Sequence, residues 1–467
     1  VNDEEPAAVQ DRRTKREGTM LARARVLTFV FAAAASVALM APPSAAQQQP
    51  KMPIADGELH LGVASCAGST CHGAAAPLPG SNVLQNEFVT WQQKDQHHKA
   101  YEVLLNDRSK RIARNLGLEA AHTADLCLDC HADNPPKDKQ HVTFQVTDGV
   151  SCEACHGGAG RWIGSHIVPT ATHANNIENG LYPTDDPVDR ARLCLSCHFG
   201  DDTRFVSHRI MGAGHPRMSF ELDTFTALQP AHFTIDRDYR QRKQAANGIQ
   251  TWAIGQAMSI NVILDTMLDR DRGMDGLFPE LVAFDCHACH SPMSALEWAP
   301  RTGTAVLGPG IPRFNDANLL MLQVITDHID PGLGRQLRDR TNALHTATRS
   351  NHSAMLGAAR ALKSVTGQLI NRFSKRDFKA DDMKVLLDGV IANGLNGEYV
   401  DYAGAEQASM AIGTIVTAMQ NVGALKKDQM DAINTALDKV FEAVDDDEKY
   451  RPQTFVASLR GFQQSVP

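Results

Sequence analysis

The chain has 467 residues, more than one ordinary domain, so two domains are the simple expectation. Lys+Arg 46 against Asp+Glu 54 gives a net charge of −8, which offers no support for a nucleic-acid partner. Aromatic residues make up only 6%, few for a core of this size, and all ten cysteines fall into five pairs, each closed by a histidine, with none left over for a disulfide.

In chain order, the first feature is a leader. From Met20 two arginines precede an apolar run, and Ser44 and Ala46 suit the −3 and −1 positions of a cleavage site. Residues 1–46 therefore read as an N-terminal extension and signal peptide, with a retained anchor as the alternative. No other apolar stretch is long enough to cross a bilayer, so no integral span is expected after cleavage, and the mature chain is expected to be periplasmic or secreted.

Residues 47–300 carry the cysteines. Four motifs are CxxCH: Cys127, Cys130 and His131; Cys152, Cys155 and His156; Cys194, Cys197 and His198; Cys286, Cys289 and His290. This is the attachment signature of a c-type haem. Cysteines at i and i+3 share one face of a helical turn and can reach both vinyl groups of one porphyrin. The histidine that follows takes the proximal position on iron. Cys66, Cys71 and His72 form an expanded version with four intervening residues, Ala67 to Thr70, small enough to bulge outward. The expectation is five covalently bound haems, whose propionates would make the assembly more acidic still. A zinc protein built on Cys/His sets is the bland alternative, and five CxxCH-type copies in an exported chain speak against it.

Histidines without cysteines supply candidates for the opposite face of each iron: His60, His97, His122, His166, His173, His208, His215 and His232. They outnumber the irons, so some must be structural. His97 and His98 are adjacent, project about 100° apart on a helix and cannot both ligate one iron; His97 is preferred, with His98 as its solvated neighbour. The segment from Glu87 reads as helical through its charge spacing, packing through Trp91, Tyr101, Leu104 and Leu105. Met211 and Met218 are alternative axial ligands, though methionine more often packs a core. Gly157 and Gly158, after the third motif, stand where a side chain would crowd a macrocycle. Ahead of the fifth motif, Trp252, Gly255, Ser259, Val262, Thr266 and Met267 form one helical stripe.

The runs CHG at 71–73, TWQQKDQHHKAY, LCLDCHAD, DGVSCEACHGG, LCLSCHFG and HRIMGAGHPRMSFELDTF together resemble bacterial multihaem c-type cytochromes. They are similar to the tetrahaem electron acceptor of hydroxylamine oxidoreductase and its larger relatives. The resemblance implies mainly bis-histidine haems packed closely enough to pass electrons, with His97 and His166 among the ligands. This chain departs from it by a fifth site, an expanded first site and a long C-terminal extension, which put haem pairing and redox partner outside a direct transfer.

Residues 299–314 are rich in Pro and Gly and mark the boundary to a cysteine-free region, 301–467. Apolar stripes at Met355, Ala359, Leu362, Leu369 and Phe373, at Ala408, Ile412, Ile415, Val416 and Met419, and at Met430, Ile433, Leu437, Val440 and Val444 predict a bundle of four or more helices. His328, His345 and His352 are read as surface or core groups. The fold class expected is mainly α: a multihaem cytochrome c domain with long loops plus a C-terminal helical bundle. Function divides between an electron carrier serving redox partner proteins and an oxidoreductase acting on a small nitrogen or sulfur compound at one open haem. The carrier is favoured because no substrate motif competes and no proximal histidine is replaced by lysine, as in nitrite-reducing relatives. The bundle could dock a partner or a second copy.

Overall fold

The computed structural model describes residues 49–276, 278–290, 301, 307–308, 311 and 313–466. The expected leader, and most of the Pro/Gly-rich boundary, lie outside these residues. Residues from Pro50 onward form one compact unit. It is mainly α, with 18 α-helices and one short hairpin, Met274–Asp275 with Phe278–Pro279, among the described residues. No helix among them is long and apolar enough to cross a membrane.

Three regular cysteine motifs form the last turn of a helix that ends on the motif's histidine: Asp125–His131, Cys152–His156 and Pro187–His198. The last begins with Asp186, whose carboxylate accepts from the Val188 and Asp189 amides, and with Pro187 at a position where a missing N–H costs nothing. The fifth motif sits on a single 3-10 turn, Cys286–Ala288. The expanded first motif is folded back as a turn, with Cys71 N–H to Gly68 O at 2.8 Å and Gly73 N–H to Gly68 O at 3.0 Å. A Cβ on Gly73 would stand 2.0 Å from the Ala67 carbonyl, so this closure requires glycine.

The segment from Glu87 is not one helix. It breaks into Glu87–Lys94, a 3-10 turn Gln96–Lys99, Ala100–Val103 and Asp107–Leu116. Asp95 adopts an extended conformation and turns its carboxylate onto the His97 amide, offering the backbone an alternative to the helix. Leu104 is buried as expected, but Leu105 is exposed.

The helix Gly248–Leu268 runs through the middle of the main core. It was expected to bury one stripe, yet 14 of its 21 residues are buried and Val262 is only half-buried. A helix apolar all round belongs inside a larger protein. Here it packs against Pro187–His198 and Leu222–Leu228 on the cysteine-bearing side and against Ala317–Ile329, His352–Phe373 and Tyr402–Asn421 from the cysteine-free region. Its buried Gln256 is satisfied on both sides, donating to Gln407 and accepting from Asn318, each at 2.8 Å. Gly255 faces Leu222, and an added Cβ would lie 2.6 Å from the Leu222 Cβ. Gly255→Ala is therefore expected to destabilise the fold by about 1–3 kcal/mol through overpacking. Thermal unfolding would check it; an unchanged or raised Tm would contradict this packing.

Beyond residue 314, seven helices from Ala317–Ile329 to Pro452–Ser465 form the expected bundle. The predicted stripes are buried, apart from Leu437, which packs half-exposed at the edge. Asp330, Asn351 and Asp401 cap three of these helices with side-chain acceptors.

Candidate functional site

Five motif histidines each face one other imidazole. The ring centroids are 6.3 Å apart for His72 and His166, 6.0 Å for His97 and His198, and 6.5 Å for His131 and His215. They are 6.3 Å apart for His156 and His232 and 6.1 Å for His208 and His290. A metal–imidazole bond is about 2.0–2.1 Å and the nitrogen lies about 1.1 Å from the ring centre, so two imidazoles on opposite faces of one metal have centroids about 6.3 Å apart. Every pair falls within a few tenths of that value. Direct imidazole stacking would bring rings closer and does not account for tilts ranging from 10° to 85° across the five pairs, whereas rotation about a metal–nitrogen axis permits any tilt.

Hydrogen bonding at the far nitrogen fits the same arrangement. Nδ1 of His72 meets Glu87 Oε2 at 3.0 Å, Nδ1 of His97 meets Asp95 Oδ1 at 2.8 Å, and Nδ1 of His131 meets the Ala100 carbonyl at 3.1 Å. Nδ1 of His166 and of His215 meet the Ile163 and Pro216 carbonyls at 2.7 and 2.8 Å. An acceptor at Nδ1 requires the proton there and leaves the Nε2 lone pair for a metal. Glu87 and Asp95 raise the proton affinity of His72 and His97 through these bonds, which strengthens an imidazole as a donor. Burial, together with the facing imidazole, pushes His156 down to about 3 and His198 down to about 4, so both are neutral at ordinary pH.

The other three candidates face no motif histidine. His173 spends Nε2 on Asp185 Oδ1 at 2.8 Å, the nitrogen a metal would need. His122 lies edge-on to Tyr101. His60 is fully buried, with Nδ1 3.0 Å from Asp133 Oδ2 and Nε2 3.8 Å from Asp56 Oδ1. His98 turns toward Trp91 instead of toward His198. In the bundle, His328 and His345 direct Nε2 to Asp382 and Asp316, and His352 is exposed at a helix start.

His60, Asp133 and Glu153 place possible ligand atoms within 4.8 Å of one another. The Glu153 carboxylate already accepts from the Leu61, Gly62 and Ala159 amides, and Asp133 accepts from Ser151 Oγ. Carboxylates so supplied with donors build an ion network around a charged histidine. Gly158 belongs to this network's packing, since its added Cβ would meet His60 at 2.8 Å, while one on Gly157 would meet the Gly180 carbonyl at 2.8 Å. Burial opposes the His60 charge, but the Asp133 and Asp56 bonds outweigh it and raise its pKa from 6.5 to about 10. The folded state thus holds this proton more tightly than the unfolded chain. Its stabilisation is complete below about pH 6.5, declines as pH rises and is gone above about pH 10. His60→Gln is expected to flatten that decline in unfolding measured from pH 6 to 10; an identical slope in both proteins would remove His60 as its source.

The cysteine motifs lie near one another. The Cys197 thiol lies 3.9 Å from the Asp129 carbonyl inside the second motif, and Cys66 and Cys152 are near enough for each thiol to alter the other's proton affinity. Cys155 lies close enough to Cys194 and Cys197 to sense their charge. His208 and His215 belong to one short segment, the helix His208–Gly212 and the turn after it, where His215 N–H reaches Ile210 O at 3.3 Å. Cys71 and Cys289 are exposed, and the other eight cysteines are half-buried.

Sequence reasoning missed the groups that orient the rings. Asp95, two residues before His97, is the one a side-chain-to-backbone turn pattern could have signalled; Glu87 and the carbonyls of Ala100, Ile163 and Pro216 leave no such mark.

Residues 58–157 match a family model described as cytochrome c554 and c-prime. No curated protein and no solved structure matches the chain. The matched stretch contains the first three cysteine motifs and His97, and it supports a c-type cytochrome with covalently bound haem iron, a kind of protein that works in electron transfer.

Proposed function

We propose that the chain is a periplasmic or extracellular electron-transfer cytochrome with five covalently bound c-type haems, each ligated by two histidines. The observation that carries this reading is the set of five facing pairs at 6.0–6.5 Å, one for each cysteine motif. His166, His215, His232, His97 and His208 are then the distal ligands for the first to fifth sites in order. Bound haem supplies a one-electron iron couple, and histidine on both sides leaves no open position for substrate. That favours a carrier over an oxidoreductase acting at an open haem.

Residues 47–300 carry the redox centres and 301–467 the helical support. The nearness of the Cys66 and Cys152 sulfurs, of Cys155 to Cys194 and Cys197, and of Cys197 to Asp129 supports the order first, third, fourth, second site, with the fifth joined to the second through the His208–His215 segment. The exposed Cys71 and Cys289 lie at the two ends of that order, where redox partner proteins would meet the first and fifth centres.

Intact mass and a pyridine haemochrome spectrum of the exported protein are expected to give five haems per chain. The reduced protein should react slowly with nitric oxide. Two or more centres that bind it rapidly would overturn the carrier reading, and a haem-free mass would overturn the cytochrome reading.

A further inference from the structure

The helical bundle grips the fifth motif. Asp285 immediately precedes Cys286; one carboxylate oxygen accepts from the His287 amide at 3.2 Å and the other from Arg313 Nη2 at 2.7 Å. The backbones are also paired, with Asp285 N–H to Arg313 O at 2.8 Å and Asn315 N–H to Ala283 O at 2.9 Å. The same Arg313 nitrogen donates to Asp401 Oδ2 at 2.8 Å. Asp401 caps the helix Tyr402–Asn421 through the Gly404 amide at 2.8 Å and receives Arg301, itself 1% exposed, at 3.4 Å. Arg301 also pairs with Asp316, which accepts from His345. Asp401 thus stands between two guanidinium groups in a buried network.

One turn further along, that helix reaches the segment of the second centre. The Tyr402 ring lies 5.8 Å from the His287 ring, and the Arg217 guanidinium lies 5.1 Å above its centroid. Arg217, two residues after His215, donates to Glu406 Oε1 at 2.9 Å, and the Tyr402 hydroxyl donates to the same oxygen at 3.2 Å. The first turn of one bundle helix therefore holds residues beside the Cys286 motif and beside His215.

We infer that Asp401, Tyr402 and Glu406 are positioning residues that fix the fifth redox centre against the second and set its reduction potential. This rests on the five-haem reading. Buried charges beside a haem act on its potential through the field they leave uncompensated. Removing the Asp401 charge leaves Arg301 and Arg313 less neutralised, which disfavours ferric iron and raises the potential. Removing the Arg313 charge leaves Asp285 and Asp401 uncompensated and lowers it. A network that only held the fold together would give no such opposite pair of shifts.

The test uses the full-length haem-loaded protein and its variants Asp401→Asn, Arg313→Gln, Arg313→Lys and Glu406→Gln. Each is followed by intact mass, thermal unfolding and spectroelectrochemical titration. One of five midpoints is expected to rise in Asp401→Asn, to fall in Arg313→Gln and to return toward the wild type in Arg313→Lys, with the others unmoved. Glu406→Gln, at the half-buried edge of the network, provides a milder variant should the buried ones not mature. It is expected to raise the midpoint of a centre flanking Arg217. Five attached haems with no midpoint displaced, or all five displaced together with a lowered Tm, would overturn the inference alone. If peptide mass spectrometry finds Cys286 and Cys289 unmodified in the wild type, the five-haem reading fails and takes the inference with it.

Discussion

Export of the chain without haem attachment is expected to leave residues 50–190 unfolded and the helices beyond them folded. The buried apolar residues divide very unequally. One cluster starts at Ala191 and runs through Trp252, Phe314 and Leu386 to Phe462. The separate cluster of the earlier region has only Leu104, Ala113, Ala121, Leu128 and Ala132. Ordering a backbone costs about 1–2 kcal/mol per residue, and the ten buried apolar side chains of that region, four of them alanine, cannot offset that over so long a stretch. The half-exposed histidine pairs add no apolar burial of their own. Porphyrins would supply the missing apolar surface and bind the facing nitrogens. Limited proteolysis of chain exported from a strain lacking the attachment machinery should yield a resistant fragment that begins near the helix Pro187–His198. Equal resistance of residues 50–190 would mean that the polypeptide alone builds this region.

The same inequality explains what could be read from the residues. Cys152, Cys155 and His156 announce their chemistry because attachment to a porphyrin demands local spacing, and a helical turn provides it. The bundle stripes, such as Met355, Ala359, Leu362, Leu369 and Phe373, were legible because packing repeats with the helix period. Distal partners were not. His166 and His173 look alike in sequence, and only the fold shows that one stands opposite His72 with Nδ1 on the Ile163 carbonyl while the other gives Nε2 to Asp185. Their difference is set by contacts remote in the chain, which no local period encodes. The Gly248–Leu268 helix shows the converse limit: a stripe could be drawn on it, but burial on every side depends on elements that arrive later in the chain. The grip of Asp401 and Arg313 on the fifth motif is likewise invisible until residues 88 positions apart meet.

His215→Ala is expected to convert one low-spin centre to high-spin while the haem count stays at five. Attachment depends on Cys127 and Cys130 with His131 on the near side, and none of these is altered. The loss is confined to the far face of one iron, where His215 stands 6.5 Å from His131 across the ring centres with its Nδ1 fixed by the Pro216 carbonyl. The vacated position would be open to water or an added ligand, so the variant should also gain rapid reaction with nitric oxide at one centre in five. His166→Ala should behave in the same way at the first site, where His166 faces His72 at 6.3 Å. His122→Ala and His173→Ala should leave all five centres low-spin, since neither ring faces a motif histidine and His173 already commits Nε2 to Asp185. Electron paramagnetic resonance of the oxidised proteins separates these outcomes. A high-spin signal in His173→Ala, or none in His215→Ala, would show that the facing pairs are not the ligand pairs.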